Sequence, residues 1–154
     1  MNGTTSRVTF SNGSLTSLET DLSGPIVTHT HIALNILING TQVQIPEGLG
    51  IMGGVENSSQ YVYGGITGPI HTHDRSNVVH FETSIPEFNF TLGDVFNAWG
   101  YAFNSSCVWG RCGGTTTVYT NSHLFNGTMP QTITVPKDMP EDMPYNVTIV
   151  WKNK

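Results

Sequence analysis

The chain has 154 residues, enough for one domain with its own hydrophobic core. Only 11% of the residues are charged, the formal net charge is −5, and no run of Lys or Arg occurs. This composition argues against a nucleic-acid partner, and no apolar run reaches the ~20 residues that a membrane-spanning helix needs.

The N-terminal segment, residues 1–25, is rich in Thr and Ser and has a β-prone, alternating pattern. It ends at Gly24-Pro25, a sequence that marks a break between elements. We therefore separate it from a domain formed by residues 26–154. The segment can add to a neighbouring copy as an extra strand, which would give a homo-oligomer or polymer. The alternative is an edge strand of the chain's own sheet.

The pattern of the domain predicts mainly β-strands. Ile26 to Ile38 and Thr41 to Ile45 flank Asn39-Gly40, the strongest short signal for a β-hairpin. Residues 70–83 predict a strand that a turn at residues 75–77 splits into a second hairpin. Further strands are predicted at Tyr61 to Tyr63, Thr115 to Thr120, Gln131 to Val135 and Asn146 to Trp151. The predicted fold is a single β-sandwich or barrel-like domain with one short α-helix and an N-terminal extended strand.

The helix is predicted over Leu92 to Trp99. Thr91 can cap its N-terminus, with Asp94 three residues later as in a capping box, and Gly100 ends it. Further along, the proline-rich residues 136–144 predict an extended link between strands.

Five of the six histidines fall into two clusters, His29-Thr-His31 and His71-Thr-His73 followed by His80. Because side chains alternate along a strand, His29 and His31 share a face, and so do His71 and His73. Imidazole suits zinc, copper, iron and nickel. We predict that the two pairs bind one transition-metal ion, copper or zinc. His80 is then a fifth ligand or a substitute for one of the four.

Two carboxylates accompany the histidines. Asp74 and Glu82 can each accept the ring N–H of a ligating histidine and so orient its ring. The alternative is that they are ordinary turn and surface carboxylates. The sixth histidine, His123, lies in a Thr/Asn-rich turn and is predicted to be a surface residue.

The order and spacing of these motifs resemble an uncharacterised family of small exported archaeal and bacterial proteins. Its members combine a His-x-His strand, a Leu-His-Thr-His-Asp segment and a Phe-Thr-Leu-Gly-x-Phe-Phe-x-x-Trp-Gly helix. The matching segments here begin at His29, Ile45, His71, His80 and Phe90. The resemblance covers roughly residues 28 to 151 and implies a metal-binding domain, but no reaction. The chain departs from the family at Asn77, where a small Gly usually follows the Ser.

Asn-x-Ser/Thr sequons are unusually frequent, since roughly three are expected by chance from this composition. The eight are at Asn2, Asn12, Asn39, Asn57, Asn89, Asn104, Asn126 and Asn146. The excess predicts a glycosylated protein that is extracellular or at the cell surface. The alternative is that Asn/Thr-rich turns produce sequons without carrying glycans. No signal peptide opens the sequence, so we expect it to be the mature form of an exported protein.

Cys107 and Cys112 are the two cysteines of the chain. They can close a small disulfide loop in an oxidising compartment. The alternative is a pair of thiolate ligands, but structural zinc sites usually contain a second pair. A disulfide is therefore the prediction.

Three functions fit these observations. The first, which we favour, is a glycosylated metal-binding protein that self-assembles as a surface or filament subunit. The second is a secreted zinc or copper enzyme that catalyses hydration, as carbonic anhydrase does, or hydrolysis. The third is metal capture. The coordination discriminates between the first two, because four protein ligands favour a structural site and three with an open position favour catalysis.

If residues 1–24 form an intersubunit strand, their removal should leave a folded, metal-binding monomer that no longer assembles. Strand addition supplies main-chain hydrogen bonds that the truncated chain lacks. Sedimentation of the full-length and truncated chains measures this. Identical monomeric sedimentation of both would contradict the assembly prediction.

Overall fold

The computed structural model describes residues 26–52, 55–57, 60–61, 66–83 and 88–154, together with two short strands near the N-terminus. In these residues the strands are β1 (Phe10–Ser11), β2 (Ser14–Leu15), β3 (Thr28–Ile38), β4 (Thr41–Gln42), β5 (Ile51–Met52), β6 (Val55–Asn57), β7 (Gln60–Tyr61), β8 (Ile66–Thr67), β9 (Ile70–His71), β10 (Val78–Thr83), β11 (Gly114–Thr120), β12 (His123–Leu124) and β13 (Tyr145–Asn153). The described part of the chain has one α-helix, α1 (Leu92–Trp99), and a short 3₁₀ helix at Pro130–Thr132. The mainly β class with a single helix is confirmed.

Seven strands form the main sheet. Their order is β12–β11–β13–β3–β10–β9, and β4 pairs with the end of β3. The β3–β13 pair is parallel, whereas the other pairs are antiparallel. The sheet is open and does not close into a barrel. In the described residues, β5–β8 and β6–β7 form separate two-stranded ribbons.

Both predicted hairpins are confirmed. Asn39 and Gly40 have φ angles of 49° and 85° at the β3–β4 turn, as a tight hairpin turn requires. The β9–β10 hairpin places His80 directly opposite His71. Asn77 precedes β10 with a φ of 67°, a conformation that Asn adopts more readily than most residues.

The helix also has the predicted bounds and caps. The Thr91 hydroxyl accepts a hydrogen bond from the Asp94 amide at 3.2 Å, and the Asp94 carboxylate accepts one from the Thr91 amide at 2.8 Å. Gly100 ends the helix with a φ of 81°. Each bond satisfies an amide that the first helical turn leaves without a partner.

The prediction of a strand at Gln131 to Val135 was wrong. Pro130 starts a 3₁₀ helix there, since its fixed φ suits a first helical position and it has no amide hydrogen for a ladder. The Thr132 hydroxyl also donates to the Met129 carbonyl at 2.7 Å, and Thr134 forms an isolated bridge with Thr91. Of the strand predicted at Tyr61 to Tyr63, Tyr61 lies in β7, and residues 62–65 lie outside the described residues.

The two faces of β3 have opposite chemical character. Ile32, Leu34 and Ile36 are fully buried in the hydrophobic core, whereas His29 and His31 lie on the other face. The core also contains Val79, Phe81, Val95, Phe96, Ile149 and Trp151. Burial of each large apolar side chain contributes about 1.5–3 kcal/mol. The core therefore fixes the sheet that presents the histidine face.

Two further predictions concern the N-terminus and the cysteines. β1 and β2 pair antiparallel with each other in a ribbon outside the main sheet, and the remainder of residues 1–25 lies outside the described residues. The intersubunit role of that segment stays a prediction. The Cys107–Cys112 disulfide is confirmed. Among the described residues, no helix has the length and apolar character to cross a membrane.

The loop before β5 holds β9 in place through its backbone. Leu49 and Thr72 exchange hydrogen bonds: the Thr72 amide donates to the Leu49 carbonyl at 3.0 Å, and the Leu49 amide donates to the Thr72 hydroxyl at 3.1 Å. The Gly50 carbonyl accepts a hydrogen bond from the Gly68 amide at 2.8 Å. This contact requires glycine at position 50, because its φ is +76° and an added Cβ would overlap the Ile70 carbonyl oxygen.

We expect Gly50→Ala to lower the free energy of unfolding by roughly 3 kcal/mol, combining backbone strain with overpacking. Gly40→Ala is the matched control, since Gly40 has a φ of +85° but no atom within 4 Å of an added Cβ. Gly40→Ala should lower the free energy of unfolding only by the backbone strain, about 1 kcal/mol. Urea unfolding of both variants measures the difference, and equal losses would contradict this account of Gly50.

Candidate metal centre

β10 lies between β3 and β9, and this order decides how the histidines meet. His80 is directly opposite His31 on one side and directly opposite His71 on the other. His29 is opposite Glu82 in the neighbouring row. The two His-x-His pairs therefore do not lie on adjacent strands, because His80 separates them.

The five histidines form two overlapping triads. His29, His31 and His80 form one, which we call the outer triad, and His71, His73 and His80 form the inner triad. Within each, the nitrogens available to a metal lie within 4.8 Å of one another. The sequence prediction gave His80 a secondary position, whereas the structure makes it the member common to both groups.

Burial differs across the cluster. His71 is fully buried, His31 and His80 are each 5% exposed, His73 is half-buried and His29 is exposed. The inner triad is therefore largely shielded from water, while the outer triad opens to solvent at His29. Burial disfavours the charged form of an imidazole, and the neutral form is the state that ligates a metal.

Backbone carbonyls fix the orientation of two of the rings. His31 Nδ1 lies 2.8 Å from the Met139 carbonyl oxygen, and His71 Nδ1 lies 2.8 Å from the Gly68 carbonyl oxygen. A carbonyl only accepts, so each Nδ1 donates its hydrogen. In the neutral rings the lone pair is then on Nε2 and available to a metal.

The Nε2 atom of His71 has two close neighbours inside the cluster. It lies 3.2 Å from His73 Nε2 and 3.1 Å from Glu82 Oε2. Ligands bound tetrahedrally to zinc at 2.0–2.1 Å are roughly 3.3–3.4 Å apart, so both distances fit two ligands of one ion. A carboxylate oxygen and a bare imidazole nitrogen repel each other at this separation. A cation, either a proton or a metal ion, is needed between them.

The surroundings of the cluster disfavour a positive charge on His80 and His73 and favour an ionised Glu82. Burial lowers the pKa of His80 to about 3, and His73, His71 and His31 add to this effect. Burial also lowers the pKa of His73. The hydrogen bond with His71 lowers the pKa of Glu82 to about 2, against the opposing effect of burial.

Residues 136–144, which we call the covering segment, lie beside the outer triad. The Met139 amide donates to the Thr30 hydroxyl at 2.9 Å, and the Thr30 hydroxyl donates to the Pro136 carbonyl at 2.8 Å. Glu141 Oε1 lies 3.4 Å from His80 Nε2. The sequence indicated an extended link here and missed Glu141, because these contacts join residues that are far apart in the chain and carry no local pattern.

Asp74 and His123 are not members of either triad. Asp74 Oδ1 accepts a hydrogen bond from the Ser76 amide at 2.9 Å and stabilises the turn before β10. Burial raises the pKa of Asp74, but the hydrogen bonds from Ser76 outweigh this and lower it. His123 is exposed and donates from Nδ1 to the Asn121 carbonyl at 2.9 Å. The ring N–H groups of His71 and His31 are instead oriented by the backbone carbonyls of Gly68 and Met139.

The sequon asparagines with described side chains differ in exposure. The exposed ones are Asn39, Asn89, Asn126 and Asn146, and Asn104 is half-buried. The Asn104 side-chain carbonyl accepts hydrogen bonds from the amides of Ser106 and Cys107 at 2.9 Å each. The side chains of Asn2, Asn12 and Asn57 lie outside those described. Glycosylation stays a prediction.

Comparisons with protein-family models, with curated proteins and with solved structures give no match. The family resemblance therefore stays a prediction. The function has to be inferred from the residues and geometry of the histidine cluster.

The metal-free protein should lose stability as the pH falls below about 6.5. The unfolded chain takes up a proton at His80 near pH 6.5, whereas burial delays protonation in the folded state to about pH 3. The protonation of His80 alone should therefore lower the free energy of unfolding by about 2 kcal/mol when the pH falls from 7.5 to 5. The charged or titratable groups around it include the other four histidines of the cluster, Asp74, Glu82 and Glu141.

Urea unfolding in the presence of a chelator measures this pH dependence. His80→Leu should reduce the slope of stability against pH, and the surface variant His123→Ala should leave it unchanged. A wild-type stability that is flat between pH 7.5 and 5 would contradict the assignment.

Proposed function

We propose that this protein is a transition-metal-binding protein, with zinc or copper held by His80 and a flanking His-x-His pair. The observation that carries the proposal is the 3.2 Å separation of His71 Nε2 and His73 Nε2, with Glu82 Oε2 3.1 Å from the former. His80 supplies the third imidazole. The inner triad is the position we expect to bind most tightly, because it is the more buried of the two.

The donor set supports zinc or copper. All candidate ligands are imidazoles and carboxylates, and the two cysteines are joined in a disulfide. Imidazole suits both metals, whereas Mg²⁺ and Ca²⁺ prefer oxygen ligands. A soft thiolate site is not available in this chain.

We place the function outside the cell or at its surface. A disulfide persists in oxidising environments, and eight sequons in the chain favour the secretory route. The described sequon asparagines are mostly exposed, so a glycan could be attached without disturbing the core. Metal binding and export together give a secreted metal-binding domain.

The role we favour for the metal is structural. The candidate ligands come from β3, β9 and β10, and β9 is a two-residue edge strand. A metal bound to His71 and His80 would tie this edge to the sheet and stabilise the folded state by mass action. Such a domain fits a subunit that self-assembles through residues 1–25. This last part of the proposal rests on the sequence.

Hydration or hydrolysis is a second candidate. Three imidazoles beside the Glu82 carboxylate are a donor set that enzymes use with zinc, and the exposed His29 leaves the cluster accessible to solvent. Carbon dioxide hydration and ester hydrolysis by the zinc-loaded protein test it. Rates no faster than those of His80→Ala would exclude the enzyme and leave metal binding intact.

We expect His80→Ala to lower metal affinity by more than about 100-fold, a larger loss than removal of an orienting partner causes. His80 is common to both triads, so neither retains three imidazoles without it. Competition against a chelator of known affinity measures the effect. His123→Ala is the matched control and should bind as the wild type does.

Since His80 is buried, His73→Ala provides a second, half-buried position where folding is less at risk. The wild type should also gain thermal stability on addition of zinc, by about 2.7 kcal/mol at 100 times the dissociation constant. Unchanged affinity in both histidine variants would contradict the proposed function.

A further inference from the structure

The cluster contains more donors than one ion uses. His80 and the four histidines around it supply five imidazoles, and the carboxylates of Glu82 and Glu141 lie beside them. A zinc ion in a structural site almost always takes four ligands. The four histidines of the two pairs also do not fall into one group of mutually close nitrogens in the described structure. One ion therefore leaves one pair unused.

The two pairs lie on opposite sides of one imidazole. The ring centroid of His31 is 4.6 Å from that of His80, and the centroid of His71 is 5.4 Å from it across the other strand boundary. His29 and His73 are the second members of the two pairs. An imidazole has two ring nitrogens, so a single ring can be a ligand on both sides.

Each side also has a carboxylate of its own. Glu82 Oε2 is 3.1 Å from His71 Nε2, at the inner triad. Glu141 Oε1 is 3.4 Å from His80 Nε2. Glu141 belongs to the covering segment, in which the Met139 carbonyl accepts a hydrogen bond from His31. The Nε2 edge of His80 therefore borders the segment that contacts the outer triad. Each triad plus its carboxylate gives four donors.

We propose that the cluster binds two metal ions, one in each triad, and that His80 bridges them through its two ring nitrogens. This inference rests on the proposed function and assigns the same residues a second ion. Binding of the second ion displaces the remaining ring proton of His80 into solvent, so that the bridge is an imidazolate with one negative charge. Two divalent ions with this bridge, Glu82 and Glu141 then leave a local charge of +1.

The bridge fixes the distance between the ions. Two metal–nitrogen bonds of about 2 Å across one imidazole ring place the ions about 6 Å apart. Two copper(II) ions joined in this way couple magnetically, whereas separate ions do not. Copper binding thus gives a readout that is independent of stability and of any reaction.

The experiment loads the full chain with copper(II), removes unbound metal, and measures copper per chain together with the integrated electron paramagnetic resonance signal. The wild type should hold two copper ions per chain, with a low-temperature signal well below two spins. His29→Ala, which changes an exposed ligand, and His73→Ala should each hold one copper with the full signal of one spin. His123→Ala is the matched control and should behave as the wild type does.

The outcomes separate this inference from the proposed function. One copper per chain in the wild type, or two coppers with the full signal of two spins, would overturn the bridged pair and leave metal binding standing. No bound copper, with no bound zinc in a parallel measurement, would overturn both. Circular dichroism of each variant identifies loss of fold, and His29→Ala remains decisive if a buried variant unfolds.

Discussion

The alternation of side chains along β3 is the constraint on which the rest of the structure depends. Every second residue, Ile32, Leu34 and Ile36, is fully buried in the core, and this fixes which face is left for His29 and His31. A shift of one residue in register would put imidazoles into the core and isoleucines into the cluster. Burial of the apolar side chains in the core therefore determines where the polar histidine site lies.

The cluster combines groups that repel each other when no cation is present. The Met139 and Gly68 carbonyls orient the rings of His31 and His71, and His71 Nε2 lies close to both His73 Nε2 and the Glu82 carboxylate. Burial keeps the pKa of His80 low, so a positive charge on that ring is disfavoured. At the close contact between His71 and Glu82, a proton or a metal ion would relieve the repulsion.

The position of His80 distinguishes this cluster from two independent His-x-His pairs. Because β10 separates β3 from β9, the nitrogens of the two pairs do not form one group in the described structure, and each pair forms a triad only with the imidazole between them. If both triads bind metal as proposed, the shared His80 would couple them, because a metal in one triad would change the ligand available to the other. The exposed side, at His29 and the covering segment, is where exchange with solvent can occur.

The sequence by itself determined the local elements. Asn39-Gly40 specified the first hairpin, Thr91, Asp94 and Gly100 specified the helix, and the His-x-His spacing specified which imidazoles share a face, because all of these depend on neighbours within a few residues. Only the tertiary structure decided the rest. Strand order made His80 the member common to both triads, and chain packing brought Met139 and Glu141 to histidines more than 50 residues away. Backbone carbonyls carry no sequence signature, and strand order depends on how the whole core packs, so no local pattern could have predicted either.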